Sequence, residues 1–433
     1  MPSPCETTPS APTLREAARV WARIGVLSFG GPAAQIALMH REVVAARGWM
    51  TERRFLDALA FCMLLPGPEA MQLATLAGWR LHGVRGGLVA GLLFVVPGAA
   101  LVAVLAGLYA VHGDLPLAAA LFLGVKAAVL VVVAEALVRV AGRALGGREA
   151  VALAAGAFAA LFLLAVPFPA VVLLAALWGA WRLAEGAETA PEPLGPPASL
   201  RGTARTVAVW LAVWLGPLAL VALLAPPVFG ALARFFAVLA TVTFGGAYAV
   251  LAFMAQHAVE GEGWLGAGEM LDALGLAETT PGPLILVTEF VGLLAAARAA
   301  PEGQALLWGL GGAAVTLWAT FAPCFLWIFA GAPWIDRIAA RPRLRGALRG
   351  VSAAVVGVIA NLALWFALHV LFGTVATLEA GPLRIAVPAL ATFDWRPALI
   401  AVVAAVLLLR LRRGVPLTLL LSAGLGLLVA PLG

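Results

Sequence analysis

Apolar residues along the chain form long unbroken runs rather than the alternation that is typical of strands, and glycine and proline interrupt several of these runs. Each half of the chain is predicted to contain two interrupted segments followed by four long helices, and the second half begins with one extra apolar segment. In the first half the interrupted segments lie at about 15–46 and 53–79, and the helices at about 87–111, 117–140, 150–166 and 168–184. In the second half the extra segment lies at about 206–225, the interrupted segments at about 229–259 and 268–297, and the helices at about 304–330, 350–372, 397–411 and 415–431.

The composition excludes a soluble protein. Of 433 residues, 63% are hydrophobic and 12% are charged, whereas soluble domains are about 45–50% apolar and about 25% charged. The lack of alternation also excludes an outer-membrane barrel. Arginines flank the apolar runs, so the formal charge of +6 indicates membrane topology rather than nucleic-acid binding. The three cysteines and five histidines are dispersed, which predicts no metal site and no cofactor.

The chain is predicted to be a duplicated unit, because motifs of the first half recur in the second. Phe29-Gly30-Gly31 recurs as Phe244-Gly245-Gly246, and Pro66-Gly67-Pro68 recurs as Pro281-Gly282-Pro283, each 215 positions later. Further matches at this spacing are Ser28 with Thr243, Trp49 with Trp264 and Asp57 with Asp272. A later stretch, Gly124–Val129, matches Gly350–Val355 at a spacing of 226.

Loop charges predict how the two repeats are oriented. The loop between the first two interrupted segments carries four arginines, whereas its counterpart around Glu262 carries glutamates and no arginine. The positive-inside rule therefore predicts opposite orientations, with a cytoplasmic N-terminus. It also favours re-entrant segments over thirteen full crossings. The predicted fold is an all-α polytopic membrane protein with two homologous repeats in inverted orientation, each with two interrupted (re-entrant) helical hairpins and four long helices. Its parts are a polar tail (1–13), a first repeat (14–184), a linker (185–205), an extra inverting transmembrane helix (206–225) and a second repeat (226–433).

The interruptions are the candidate substrate site. Gly-Gly and Pro-Gly-Pro break helices, and proline suits the first turn of the next helix. Pro32 and Pro68 therefore each predict the start of a half-helix, whose unpaired N–H groups favour an anion. The alternative is that the breaks only allow close packing and kinks; their duplication favours a site. The predicted substrate-binding residues are those of the breaks and the polar residues beside them: Ser28, Gly30, Gly31, Pro32, Gln35, Pro66, Gly67, Pro68, Gln72, Thr75, Lys126, Thr243, Gly245, Gly246, Thr279, Thr280, Pro281, Gly282 and Pro283. The hydroxyl groups among them could instead bond back to helix carbonyls.

Charged residues inside apolar segments are candidates for function. Lys126 is the only lysine in a chain whose other basic residues are arginines, and a charge in the middle of a membrane segment is costly and usually functional. It could balance a bound anion or an acid such as Glu69; the alternative is that it extends to the membrane surface. The candidates for proton coupling are Glu69, Glu135, Glu278 and Glu289.

With both sets of motifs, the chain resembles the chromate ion transporter family in its long two-domain form, over about residues 14–431. The resemblance rests on Phe29-Gly30-Gly31-Pro32, Leu64–Ala70, Gly78–Gly83, Phe244-Gly245-Gly246 and Ala277–Pro283. It implies chromate efflux across a bacterial inner membrane, with proton coupling. Two positions depart from the family pattern: Met71 stands where a glutamine is expected, and the second break reads FGGA rather than FGGP.

The predicted function is therefore a secondary transporter, not an enzyme, that exports chromate from the cell. The membrane potential would drive export, and the anion would be held by the N-termini of broken helices at the repeat interface. The sequence leaves sulfate or another oxyanion open as the substrate, and it leaves proton coupling and homo-oligomerisation undecided. A membrane-embedded enzyme is the alternative of another class, but the chain shows no clustered nucleophile, metal ligands or catalytic dyad. A channel is less well suited to inverted repeats than alternating access is. The expected partners are the oxyanion and the lipid bilayer.

Overall fold

The computed structural model describes residues 12–113, 115–184, 199–244, 247–335, 341–381 and 383–432. These residues form helices and one small sheet. The helices of the first half are α1 (Leu14–Leu27), α2 (Gly31–His40), α3 (Glu52–Cys62), α4 (Glu69–His112), α5 (Pro116–Ala144), α6 (Arg148–Phe162) and α7 (Phe168–Arg182). The later helices are α8 (Leu200–Leu224), α9 (Pro227–Val242), α10 (Ala247–Ala255), α11 (Ala267–Thr279), α12 (Val287–Arg298), α13 (Ala305–Gly331), α14 (Pro342–Leu371), α15 (Trp395–Ala405) and α16 (Val415–Val429), and the strands are β1 (Val375–Ala380) and β2 (Leu383–Pro388). Most of the predicted tail and linker lies outside the described residues.

The helical membrane architecture predicted from the sequence is confirmed. In the described part of the chain, five helical stretches are long and apolar enough to cross a membrane: α4, α5, α8, α14 and Ala305–Trp334, which contains α13. Three shorter apolar helices, α7, α9 and α16, accompany them. The chain is therefore a multi-pass membrane protein, because apolar helices of this length satisfy their backbone groups internally and bury their side chains in lipid.

One element departs from the prediction of helices alone. Strands β1 and β2 form an antiparallel hairpin between α14 and α15, with Val375 opposite Pro388. The backbone N–H of Arg384 donates to the carbonyl oxygen of Leu163 at 2.8 Å, which ties the hairpin to the end of α6. After the hairpin, Asp394 caps α15, and hydrogen bonds from Arg396 lower the pKa of this carboxyl below its usual value. The alternation in this stretch is too short to stand out beside the apolar runs.

Glycines let the broken segments fold closely onto the helices that come after them. Within α4 the backbone leaves helical geometry at His82 and Gly83, and a side chain at Gly78 would come within 2.4 Å of the Gly86 carbonyl oxygen. In the second half, a side chain at Gly312 of α13 would come within 2.1 Å of the Gly292 carbonyl oxygen in α12. Both halves therefore pack a broken segment against its following helix at a point that excludes side chains.

The long helices of the two halves pack across each other. A side chain at Gly124 of α5 would come within 1.8 Å of the Ser422 carbonyl oxygen in α16, and one at the matching Gly350 of α14 would come within 2.2 Å of the Ala175 carbonyl oxygen in α7. A long helix of each half thus packs against the last helix of the other half.

The matching helices α4 and α13 run antiparallel where they meet. Gly87 lies against the ring of Phe329, and Gly91, one turn later, lies against the ring of Phe325. As the residue number rises in α4 it falls in α13, which defines opposite directions for the two helices.

Candidate functional site

The first break of each half has the same local geometry. Ser28 has φ −78° and ψ 62°, and Thr243 has φ −76° and ψ 80°. In each case the following phenylalanine donates its backbone N–H two residues back, Phe29 to Leu27 at 2.9 Å and Phe244 to Val242 at 3.0 Å. Both turns are therefore inverse γ-turns.

The helix start after the first break is described in the first half only. There α2 begins at Gly31, with Gly30 in left-handed conformation as its N-cap and Pro32 in the first turn. The predicted half-helix start at Pro32 is therefore present. Gly245 and Gly246 of the second half lie outside the described residues.

The second break of each half centres on its Pro-Gly-Pro motif. Gly67 has φ +120° and Gly282 has φ +93°, which favour glycine at both positions. In the first half Pro68 is the N-cap residue of α4, which begins at Glu69. In the second half a single turn of 3₁₀ helix, Leu284–Leu286, comes after Pro283 and leads into α12.

The four breaks are joined by reciprocal hydrogen bonds. The N–H of Gly67 donates to the carbonyl oxygen of Thr243 at 2.8 Å, and the N–H of Gly282 donates to the carbonyl oxygen of Ser28 at 3.0 Å. Gly67 matches Gly282, and Ser28 matches Thr243, at the same spacing of 215. The second break of each half therefore closes the first break of the other.

Packing around the breaks shows the same exchange. A side chain at Gly67 would meet the Cys324 Sγ atom at 3.2 Å, and one at Gly282 would meet the Cα atom of Gly98 at 3.4 Å. Gly98 and Cys324 are matching residues, each directly after the proline inside its own long helix. The second break of each half is thus lined by the long helix of the other half.

The side-chain amides of the two predicted glutamines, Gln35 and Gln72, bind backbone carbonyl groups. The side-chain amide of Gln35 donates to the carbonyl oxygens of Gly282 at 2.6 Å and Ser28 at 3.3 Å. That of Gln72 donates to the carbonyl oxygen of Pro66 at 2.7 Å. Among the described residues, neither glutamine carbonyl oxygen has a hydrogen-bond partner, and both are buried. Gln35 therefore stabilises the junction between halves, and each glutamine keeps one acceptor uncommitted.

The predicted hydroxyl groups bond to carbonyls of their own helices. Ser28 and Thr243 donate four residues back, to Ile24 and to the matching Leu239. Thr75, Thr279 and Thr280 likewise donate to carbonyl oxygens three or four residues earlier, those of Met71, Leu276 and Ala277. In this state the hydroxyl hydrogens, like the N–H groups of Gly67 and Gly282, are occupied. The first-turn N–H groups of α2 and α4 are the hydrogen-bond donors that have no partner within their own helices.

The four predicted proton carriers have different surroundings. Glu278 is buried at the end of α11, where the hydroxyl of Tyr248 donates to it at 2.7 Å. Glu289 in α12 is 2% exposed, and its Oε2 atom has no hydrogen-bond partner among the described residues. Glu69 is the first residue of α4. Glu135 accepts a hydrogen bond from Arg139 one turn along α5.

Lys126 pairs with Asp272, not with Glu69, which the sequence suggested as a partner. Its Nζ atom lies 3.2 Å from Oδ1 of Asp272. Asp272 stands on α11 eight residues before Thr280, so the ammonium lies about 12 Å along that helix from the second break. The structure thus places Lys126 apart from the cluster formed by the other predicted substrate-binding residues.

Sequence reasoning missed the two tyrosines. The chain contains only Tyr109 and Tyr248, and both donate to buried carboxylates of α11, Tyr109 to Asp272 and Tyr248 to Glu278, each at 2.7 Å. Their rarity in the sequence marks the two tyrosines as candidates for function, just as the presence of a single lysine marks Lys126. Among the described residues, no group of three or more His, Cys, Asp or Glu side chains could hold a metal ion.

Fold and site together define a polytopic α-helical membrane protein in which broken helices from two matching halves meet. The family profile described as "Chromate transporter" matches residues 15–180 and again residues 230–427. The chain belongs to this family. It is 32% identical over 370 residues to a chromate transport protein of Pseudomonas aeruginosa, covering 82% of each chain.

Two further relatives agree with this assignment. A chromate transport protein of Cupriavidus metallidurans is 29% identical over 365 residues, covering 83% of this chain and 85% of that protein. A probable chromate transport protein of Synechococcus elongatus is 28% identical over 350 residues, covering 81% and 83%. No solved structure matches the chain.

Proposed function

We propose that this protein is a secondary transporter that exports chromate across the bacterial inner membrane. The observation that carries the proposal is the reciprocal closure of the breaks, in which Gly67 binds Thr243 and Gly282 binds Ser28. Membership of the chromate transporter family supports chromate as the substrate. A junction built from matching parts of two repeats is a common place for a transporter's substrate site.

The proposal includes two inverted repeats, at 14–184 and 226–433, joined by the helix at 206–225. The antiparallel course of α4 and α13 at Gly87 and Phe329 supports the inversion, as does the contrast between the arginine-rich and glutamate-rich loops. The breaks near Ser28 and Gly67 then enter from the cytoplasm as re-entrant hairpins, and those of the second repeat enter from outside. The N-terminus is cytoplasmic in this arrangement.

The anion is held at the N-termini of the half-helices. The N-terminus of a helix carries a partial positive charge and unpaired N–H groups. Here α2 begins at Gly31 and α4 at Glu69, and the amides of Gln35 and Gln72 fix the carbonyls beside them. Because backbone donors respond to charge and shape, this site suits a small tetrahedral oxyanion.

Energetics favour export. Moving one charge through 100 mV changes the free energy by about 2.3 kcal/mol. A dianion leaving a negative interior therefore gains about 4.6 kcal/mol per 100 mV, which sustains a gradient of about 10³-fold. Exchange of chromate for entering protons adds to this drive, and the buried Glu278 and Glu289 are the carboxylates that we propose for it.

The test is chromate uptake into inside-out vesicles, with and without an imposed membrane potential and with sulfate as a competitor. We expect saturable uptake that the potential accelerates. Uptake of sulfate in place of chromate would keep the transport mechanism and overturn the substrate. Chromate that is chemically altered but not moved would contradict transport altogether.

A further inference from the structure

The strongest unassigned feature is a charged pair between the two halves. Lys126 of α5 and Asp272 of α11 lie 3.2 Å apart, with their side chains 24% and 6% exposed. The hydroxyl of Tyr109 in α4 donates to Oδ2 of Asp272 at 2.7 Å. Oδ1 has no aligned hydrogen bond among the described residues. The ammonium therefore faces Oδ1, while Oδ2 is bound by Tyr109.

The pair sits where α11 is pressed against α5. A side chain at Gly275 would come within 2.1 Å of Val125 Cγ1, and one at Gly268 would come within 3.4 Å of the Lys126 Nζ atom. The other charged groups close by are Glu269, one turn before Asp272, and Arg298 of α12, and these bind each other. The surroundings of the pair are therefore neutral, and the charge of Lys126 is balanced by Asp272.

The first repeat lacks this pair although it keeps the carboxylate. Asp57 matches Asp272. The residues of the second half that match Lys126 and Tyr109 are Ser352 and Ile335, so they offer Asp57 neither an ammonium nor a phenol hydroxyl. The packing differs in the same way: Leu56 and Met63 of the first repeat are 51% and 52% exposed, whereas the matching Leu271 and Glu278 are 0% and 4% exposed. The broken segment that carries the charged pair is therefore buried, whereas its counterpart in the first repeat is partly exposed.

We propose that Asp272 is the resident counter-ion of Lys126 and that the transported dianion takes its place at a second position, about 12 Å along α11 from the breaks, releasing α11 from α5. This inference rests on the proposed function. An ammonium can donate three hydrogen bonds, and it is costly to leave a buried charge unpaired. Exchange of one anion for another leaves the Lys126 ammonium with an anionic partner at every stage. A dianion attracts the ammonium more strongly than a carboxylate does, whereas a monoanion only equals it. The pair therefore selects doubly charged oxyanions such as chromate and sulfate over singly charged ones such as perchlorate.

The first test is a double-mutant cycle on the KM for chromate uptake. Asp272→Asn keeps the shape and removes the competing charge, so KM should fall by about fivefold, or about 1 kcal/mol at 1.4 kcal/mol per tenfold. Lys126→Gln should raise KM. In the doubly substituted chain the Asp272→Asn effect should vanish, because its target is gone. Asp57→Asn, the matched control, should change KM by less than about twofold.

An anchoring role predicts a different pattern. If Asp272 only fastens α11, both single substitutions raise KM or abolish uptake, and the double substitution restores it. That result would overturn the proposal. The double substitution also leaves no unpaired charge, so it remains measurable where a single variant fails to fold.

The second test monitors the release of α11 directly. Val129 of α5 is 1% exposed and lies 3.5 Å from the side-chain position of Gly275. In a chain with Cys5→Ser and Val129→Cys, labelling by a small thiol reagent should be slow. Chromate or sulfate, but not perchlorate, should accelerate it at least about fivefold, and Asp272→Asn should accelerate it without an anion.

The chain with Cys5→Ser alone gives the background from the buried Cys62 and Cys324. Normal chromate uptake with unchanged Val129→Cys labelling would refute the counter-ion exchange and leave the transport function standing. Absence of uptake of any oxyanion by the unsubstituted chain would refute the transport function itself.

Discussion

Gly67 donates its backbone N–H to the carbonyl oxygen of Thr243 across the junction of the two halves, at 2.8 Å. In this hydrogen-bonded arrangement Gly67 has φ +120°, a backbone conformation that residues with a side chain rarely adopt. A group of the first half is thereby fixed by the second half. The integrity of the site depends on the docking of both halves.

Gly67→Ala should therefore damage both stability and transport. The added methyl group would lie 2.8 Å from Nε2 of Gln72, and the backbone strain costs about 1–3 kcal/mol. We expect a lower Tm in detergent and loss of chromate uptake. Gly107→Ala in α4 is the control, because nothing lies within 4 Å of that position; alanine there should be neutral or stabilising by up to about 1 kcal/mol. Normal uptake by Gly67→Ala would show that the break does not need this geometry.

Gly124→Leu should weaken a different contact between the two halves, the packing of α5 on α16. A side chain at Gly124 meets the Ser422 carbonyl oxygen at 1.8 Å, and overpacking costs about 1–3 kcal/mol or more. Gly142→Leu, in the same helix and with nothing within 4 Å, is the matched control. Thermal unfolding of the purified proteins should show a lower Tm for Gly124→Leu only. Equal Tm values for the two variants would contradict the packing of α5 on α16.

Glu278→Gln should uncouple transport from protons without stopping it. Glu278 is buried and bound by Tyr248. Its glutamine variant keeps the shape of the side chain but cannot take up and release a proton as the carboxylate does. With the membrane potential clamped at zero, a proton gradient should drive chromate uptake in the unsubstituted protein and not in the variant. Potential-driven uptake should persist. Glu262→Gln, on a side chain that is 43% exposed, should behave like the unsubstituted protein; gradient-driven uptake by Glu278→Gln would assign coupling elsewhere.

Cysteines at positions 47 and 262 should react from opposite faces of the membrane. These positions lie in the matching loops of the two repeats, and Arg47 and Glu262 are both partly exposed. An impermeant thiol reagent added to sealed cells should label Glu262→Cys, whereas Arg47→Cys should require permeabilised cells. A chain with Cys5→Ser alone sets the background. Labelling of both from one face would exclude inverted repeats.

The helices and the places where they break could be predicted from the sequence, because helix-breaking residues and apolar runs act locally. The spacing of 215 alone matches Ser28 with Thr243 and Gly67 with Gly282. It could not reveal that each pair is joined crosswise, because that depends on how two distant halves dock. The partner of Lys126 was missed for the same reason: Asp272 is 146 positions away.

The hairpin at Val375–Pro388 and the two tyrosines show a second limit. The hairpin is too short to produce a strong periodic signal. Tyr109 and Tyr248 gain their role only from the buried carboxylates that they contact. Side chains that satisfy another residue's buried charge carry no motif of their own.

The crosswise closure also constrains how the protein is made. Ribosomes add about 5–20 residues per second, and N-terminal parts emerge first. Since Thr243 lies 176 positions after Gly67, the first repeat waits roughly 9 to 35 s in the membrane before its acceptor is synthesised. During that interval the N–H of Gly67 and the carbonyl of Ser28 need substitute partners, such as water or the insertion machinery. Biogenesis of the protein is therefore completed late, when the second half arrives to close the first.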